Sequence, residues 1–276
     1  MTTLDIYKFS LSKESLALLP ESQRAFFVYA GHISNELNWL NRITLILQRT
    51  GAEATHLNET SPSTVNRALF EANAAQSIIG CRLLTGKVGE ASKFLDQNCL
   101  KAAWHKKIRR KFNLNGKKSW QLYCKRHRYL QKFKEGKTSK KEVISLMRNR
   151  FSFHYSKEGY AIAGKNNILS DPFILYISQI TGTTLYMGSE HTMLKAFVDM
   201  LSPNQYKRSI DRWMSQTLKL TGAMINIFEQ SIAELLDLYI LKQTSDKPEL
   251  ITFDNPPDNN SITLPFFINP SRLNKE

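Results

Sequence analysis

An arginine, an asparagine and a histidine lie close together in the stretch Arg148-Asn149-Arg150-Phe151-Ser152-Phe153-His154. A guanidinium presents a planar fork of donors that matches a phosphate group. An imidazole can accept or release a proton near neutral pH. These residue types predict chemistry on a phosphodiester backbone, with the guanidinium stabilising negative charge and the imidazole moving a proton.

Most of the positive charge of the chain lies in residues 101–150. This segment has 18 Lys and Arg residues against two acids, Glu135 and Glu142, and therefore a net charge of +16. The whole chain has a net charge of +14, so the other residues sum to −2. A field of one sign attracts polyanions such as nucleic acid. A solvated helical surface that keeps the chain soluble is the alternative interpretation.

Apolar residues recur at intervals of three and four residues along most of the chain, which is the spacing of amphipathic helices. The sequence therefore predicts an all-α fold, a helical bundle within a single domain over residues 1–245. Residues 158–190 depart from this pattern and are expected to form a small irregular or β-hairpin insertion. Residues 246–276 are rich in Pro, Asn and Asp and are expected to be an extended C-terminal tail.

Turn-forming residues set the expected helix bounds. Residues 51–63 are expected to be a loop, residues 85–89 to interrupt a helix, and Gly222 to mark a break in the last helix. Ser139 and Glu142 form a capping box that predicts the start of the helix carrying the motif. We expect helices over 21–48, 65–84, 90–100, 102–112, 119–133, 139–156, 191–200 and 204–241.

The sequence lacks the motifs of P-loop, dinucleotide-binding, zinc-protease and nucleophile-elbow enzymes. Its three cysteines, Cys81, Cys99 and Cys124, have no zinc-ligand spacing, so we expect reduced thiols. No apolar stretch is long enough to span a bilayer, and the N-terminus does not have the pattern of a signal peptide. We therefore expect a cytoplasmic protein with no metal, no cofactor and no membrane contact.

The expected motif helix has an apolar face. At about 100° per residue, Val143, Ile144, Met147 and Phe151 share one side, and His154 falls in the same sector. Two interpretations follow for this histidine. Either it is a hydrogen-bonded core residue, or this side of the helix borders a cleft or subunit interface that the imidazole lines.

The stretch from Arg148 to His154 resembles the Arg-x(4–6)-His motif of the HEPN superfamily, in which a polar residue, often Asn, follows the arginine. The stretch over residues 83–91 looks like the turn between helices in bacterial members. One difference is that Tyr155 directly follows His154, whereas one toxin branch has His-x-Tyr, so the modification chemistry of that branch is not expected here. The family fold is a bundle of about four or five helices, which agrees with the expected all-α fold.

The resemblance implies a metal-independent endoribonuclease, as in many toxin and antiviral-defence members of the family. Arg148, Asn149 and His154 match the catalytic positions. His154 would transfer protons at the ribose 2′-OH or the leaving 5′-oxygen, and Arg148 would stabilise the phosphorane. Asn149 would orient the phosphate or hold the histidine. The products would be a 2′,3′-cyclic phosphate and a 5′-OH, and a homodimer would supply two motifs to one composite site.

Bound RNA would be held by the basic segment, with aromatic residues between the charges. Trp104, Trp120 and Tyr123 either stack on unpaired bases or belong to the core. His105 and His127 are expected to add to the basic surface. The expected RNA-binding residues are Arg150, Lys106, Lys107, Arg109, Arg110, Lys111, Lys117, Lys118, Lys125, Arg126 and Arg128.

Two other functions fit the same sequence. The chain could be a non-catalytic nucleic-acid-binding helical protein in which His154 is structural. It could also be an interaction protein whose basic segment binds an acidic protein partner, such as an antitoxin.

Overall fold

The structure is a computed structural model that describes residues 3–135, 142–149, 173–177, 185–201, 205–243 and 248–254, together with Ile262 and Leu264. Within these ranges the chain is mostly helical, which confirms the all-α prediction. The elements in chain order are β1 (Thr3–Lys8), α1 (Lys13–Ala17), α2 (Glu21–Thr60), α3 (Thr64–Asn98), α4 (Ala103–Arg109), α5 (Leu114–Lys134), α6 (Val143–Met147), α7 (Met187–Leu201), α8 (Tyr206–Leu235), a π-helical segment (Leu236–Leu241) and β2 (Glu249–Asp254).

Helix α2 continues to Thr60, so the loop predicted over residues 51–63 is wrong over most of its length. Two threonine hydroxyls bond back into the helix, from Thr50 to the carbonyl of Ile46 at 3.0 Å and from Thr55 to that of Gly51 at 2.8 Å. Because the hydroxyls donate to carbonyls of the same helix, these threonines are accommodated while the backbone stays helical.

Helix α3 runs without interruption through residues 85–89, so the predicted break and the family-like turn over residues 83–91 are both wrong. Leu84, Val88 and Ala91 are fully buried. Their burial outweighs the cost of a helical glycine, which is about 1 kcal/mol relative to alanine. Helix α8 likewise passes through Gly222 without a break.

The chain divides into two compact units. The first unit comprises Met1–Trp39, Glu90–Ser139 and Lys219–Ile262, and the second comprises Leu40–Gly89, Lys140–Leu218 and Thr263–Glu276. Helices α2, α3 and α8 each contribute one segment to each unit.

A two-stranded antiparallel sheet lies in the first unit. Strand β1 pairs with β2 from Thr3 opposite Asp254 to Lys8 opposite Glu249, and the last pair is an ion pair at 3.0 Å. Part of the expected extended tail therefore forms a strand. Within residues 158–190, Tyr176 and Leu185 form one antiparallel bridge, with both backbone hydrogen bonds at 2.8 Å.

The core of the second unit contains a buried hydroxyl, that of Thr85, which takes part in three hydrogen bonds. Thr85 donates its hydroxyl to the carbonyl of Cys81 at 2.7 Å and accepts from the Trp213 indole at 2.8 Å. Since that hydrogen is used, the 2.9 Å contact with Thr217 is donated by the Thr217 hydroxyl. The surrounding cluster includes Phe197, so polar atoms and packed rings together fix this core.

All three cysteines are free thiols, and burial raises the pKa of Cys81 to about 12. Within the described ranges, no helix combines the length and the apolar character needed to cross a bilayer. Among the same residues, no group of three or more His, Cys, Asp or Glu side chains could hold a metal ion.

Candidate nucleic-acid interface

The inner face of α5 fixes the basic helix within the first unit. Tyr123 is fully buried, and Ser119 accepts a hydrogen bond from the amide of Asn226 on α8 at 3.3 Å. A Cβ atom at Gly116 would lie 3.0 Å from the side chain of Gln230, so glycine permits this close approach. The inner face is therefore packed, and its partners set the direction of the outer face.

The outer face of α5 is a row of cations, which we call the basic face. Its members are exposed and, at about 100° per residue, fall within an arc of about 100° opposite Tyr123. They span about 22 Å along the helix at 1.5 Å per residue. The basic face consists of Lys117, Lys118, Lys125, Arg128 and Lys132.

Helix α4 and its C-cap add three exposed cations, Lys106, Lys107 and Arg110. No acidic residue occurs in the sequence between Asp96 and Glu135. Ordinary protein segments mix charges of both signs, whereas this stretch of sequence does not.

Four of the predicted RNA-binding cations have protein partners. One of them, Arg128, stays exposed and donates to the backbone carbonyl of Cys124 one turn earlier, at 3.4 Å. The other three contact side chains from other parts of the fold. Lys111 lies 3.6 Å from both Glu234 and Asp237. The guanidinium of Arg109 lies 4.1 Å from the ring centre of Trp120, and Arg126 donates to the hydroxyl of Ser92. These side chains help to hold α4 and α5 in place, so a nucleic acid would have to compete for them.

The three interleaved aromatic residues have different surroundings. Tyr123 is in the core, and burial followed by its hydrogen bond to Asp96 raises its pKa. Trp120 is half-buried beneath Arg109. Trp104 is half-buried and lines a cleft with Phe26. These aromatic residues were expected either to stack on bases or to belong to the core. Tyr123 belongs to the core, whereas part of Trp104 is accessible from the cleft.

His105 does not add to the basic surface, because it is fully buried. Ser231 donates its hydroxyl hydrogen to the carbonyl of Ile227 at 2.7 Å, so it can only accept from His105 Nε2 at 3.2 Å. Nε2 therefore carries a hydrogen. Burial, assisted by the charge of Arg109, lowers the pKa of His105 to about 3.

His127 and Tyr123 both contact the carboxylate of Asp96, an arrangement that the sequence did not predict. The Nδ1 of His127 lies 2.7 Å from Asp96, which also accepts the hydroxyl of Tyr123. Gln131 lies 3.4 Å from the other ring nitrogen. We expected His127 to add to the basic surface, whereas it is half-buried against Asp96, which nothing in the local sequence pattern identified.

The described part of the motif lies in the second unit. Glu142 caps α6 by accepting from the backbone N–H of Ser145, whereas we expected the helix to start at Ser139, which lies outside the described residues. Val143, Ile144 and Met147 are buried, as predicted from their shared face.

Arg148 and Asn149 follow α6 in a π-helical turn. The guanidinium of Arg148 donates to the side-chain oxygen of Asn149 at 2.6 Å. A Cβ atom at Gly89 would lie 2.6 Å from Cδ of Arg148, so the aliphatic stem of the arginine packs directly on the glycine and would have to shift if a side chain were added there. Asn149 is exposed and Arg148 is half-buried, so this pair can present donors to an anion.

Arg150 and His154 lie outside the described residues, and so does Tyr155. The structure therefore brings together two of the three predicted catalytic residues. Comparison of the chain with protein-family models, with curated proteins and with solved structures found no match.

Proposed function

We propose that this chain binds RNA through the basic face and the exposed cations of α4, and that its HEPN-like motif cleaves RNA without a metal. The observation that carries the proposal is the row of exposed cations in a stretch without any acid. Such a surface neutralises phosphates and releases their counterions, which is the main source of nucleic-acid affinity.

Binding should depend steeply on salt. For a single strand, the logarithm of the binding constant falls with the logarithm of salt concentration by about 0.7 per neutralised phosphate. Replacing Lys118, Lys125 and Arg128 by Gln removes three contacts, so the slope should decrease in magnitude by about 2. Fluorescence anisotropy with a single-stranded RNA at several salt concentrations measures the slope.

A matched control separates the basic face from net charge. Lys13, Arg42 and Lys207 are also exposed and show no ion pair within the described part of the chain. Replacing these three by Gln lowers the net charge equally but should leave the slope unchanged. Equal effects of the two triple variants would overturn the basic face as the binding site.

Cleavage is proposed for the motif residues. His154 transfers a proton at the 2′-OH or the 5′-oxygen, and Arg148 stabilises the charge on the phosphorane. The hydrogen bond from Arg148 to Asn149 supports this assignment, because it orients the guanidinium. The family resemblance adds that two chains pair to supply two motifs.

The test is RNA cleavage in EDTA with mass spectrometry of the ends. We expect 2′,3′-cyclic phosphate and 5′-OH termini, and we expect His154→Ala and Arg148→Ala to abolish cleavage while RNA binding is kept. Sedimentation should show a dimer. Binding without cleavage would leave a non-catalytic RNA-binding protein. Tight capture of an acidic protein with weak RNA binding would replace both proposals.

A further inference from the structure

A cleft with aromatic walls lies in the first unit, apart from the basic face. Its volume is about 380 Å³, within the range of small-ligand pockets. We call it the aromatic cleft. Its lining residues are Ser22, Ala25, Phe26, Tyr29, Phe94, Asn98 and Trp104.

The aromatic rings of the cleft pack against one another and range from buried to exposed. Phe94 is nearly parallel to both Phe26 and Tyr29, with centroid distances of 5.7 and 6.1 Å and interplanar angles of 18° and 25°. Trp104 meets Phe26 edge-on at 5.1 Å. Phe26 is buried at the base, whereas Tyr29 is 61% exposed. Tyr29 therefore offers ring surface to which another planar group can be added.

The rim of the cleft carries polar groups that suit a base edge. Ser22 and Asn98 are exposed there. An asparagine amide has two donor hydrogens and an acceptor oxygen, and the contact of Asn98 with the carbonyl of Phe94 uses only one donor. Bases present donors and acceptors side by side, so an amide beside stacking surface matches their chemistry.

We propose that the aromatic cleft holds one unpaired base of the bound RNA, stacked on Tyr29, with Trp104 as a second wall of the cleft and Asn98 at the edge of the base. This inference rests on the proposed RNA binding and adds where a base is held. Lys101 and Lys107 are exposed and lie three residues before and after Trp104, so phosphates next to the base have cations close in sequence. Glu21 is exposed and directly precedes Ser22 in the sequence, so an acid lies next to the α2 part of the rim, which favours a backbone path along α4.

The test compares two probes of equal length, an oligonucleotide of adenosines and an abasic ribose-phosphate chain. Phosphate binding alone predicts equal affinity for both. The cleft predicts tighter binding of the adenosine probe, and Tyr29→Ala should reduce that advantage by about 5- to 100-fold, as expected for one lost stacking contact. Binding of the abasic chain and the salt slope should not change.

Two further variants keep the test specific. Tyr29→Phe retains the ring and should behave like the unaltered protein. Trp39→Ala removes an aromatic side chain from the same helix that is 63% exposed but does not line the cleft, and it should have no effect. Circular dichroism confirms that each variant is folded.

The outcomes separate this inference from the proposed function. Equal binding of both probes by the unaltered protein, or a base preference that survives Tyr29→Ala, would overturn the cleft and leave RNA binding intact. Failure to bind either probe would overturn both.

Discussion

We expect the free energy of unfolding of this protein to depend on pH because of the buried ring of His105. The folded state holds this ring neutral, because burial and the neighbouring Arg109 lower its pKa to about 3. In the unfolded chain a histidine has a pKa of about 6.5. Below that pH the unfolded chain binds a proton at His105, whereas the folded protein does not. The free energy of unfolding is therefore at its full value above about pH 6.5 and decreases as the pH falls.

The magnitude follows from the linkage relation. Each pH unit between the two pKa values costs about 1.4 kcal/mol, so lowering the pH from 7.5 to 5 removes about 2 kcal/mol of unfolding free energy. This is a large fraction of the 5–15 kcal/mol by which proteins are typically stable. The variant His105→Gln cannot titrate and so isolates the contribution of this ring.

Urea unfolding at pH 7.5, 6 and 5 provides the assay. The difference in unfolding free energy between the unaltered protein and His105→Gln should shift by about 2 kcal/mol against the unaltered protein over this range. All other ionisable groups contribute equally to both proteins and cancel. Parallel pH profiles would refute the neutral, buried ring, as would an NMR titration of His105 with a midpoint near pH 6.5.

Two substitutions in the second unit test buried contacts. Thr85→Val leaves the Trp213 indole without its acceptor and should cost about 1–3 kcal/mol in urea unfolding, whereas Thr85→Ser should cost much less; equal losses would show that the hydroxyl is unimportant. Gly89→Ala gains helix propensity but collides with the stem of Arg148, so we expect a stable fold with RNA cleavage slowed by up to about 100-fold. Unchanged cleavage by Gly89→Ala would refute the positioning role.

The spacing of the cations on α5 places the basic face, although the predicted RNA-binding residues included Arg126 and omitted Lys132. Lys118, Lys125 and Lys132 recur at seven-residue spacing, which returns to nearly the same side of a helix. Tyr123 lies on the opposite side and is buried. The local spacing therefore separates the packed side from the charged side without any knowledge of the partners.

For His105 the sequence held two conflicting signals, the charge of its neighbours and its helical spacing, and the prediction followed the charge. His105 lies in a run of cations, yet it shares a helical stripe with Ile108 and Phe112, both of which are buried. Spacing was the better guide here, because burial follows the face of a helix and not the average charge of a segment.

Other features depend on contacts that are distant in sequence. Gly89 was interpreted as a helix breaker, whereas it lies in a continuous helix against Arg148, 59 residues away. Asp96 meets His127 across 31 residues. Local propensity cannot report such contacts, because tertiary packing decides them. The division into two units was hidden for a related reason, since the periodicity of α2 continues from one unit into the other.

The charge pattern of α5 is unfavourable for the helix itself. Its first turn has no acid, and Lys117 and Lys118 lie near the positive end of the macrodipole. Arg128 has like charges three residues before it, at Lys125, and four residues after it, at Lys132, each pair costing a few tenths of a kcal/mol. Local stability would select acids at these positions. A bound polyanion reverses the sign of both effects, so the same residues that weaken the isolated helix would stabilise it in a complex with RNA.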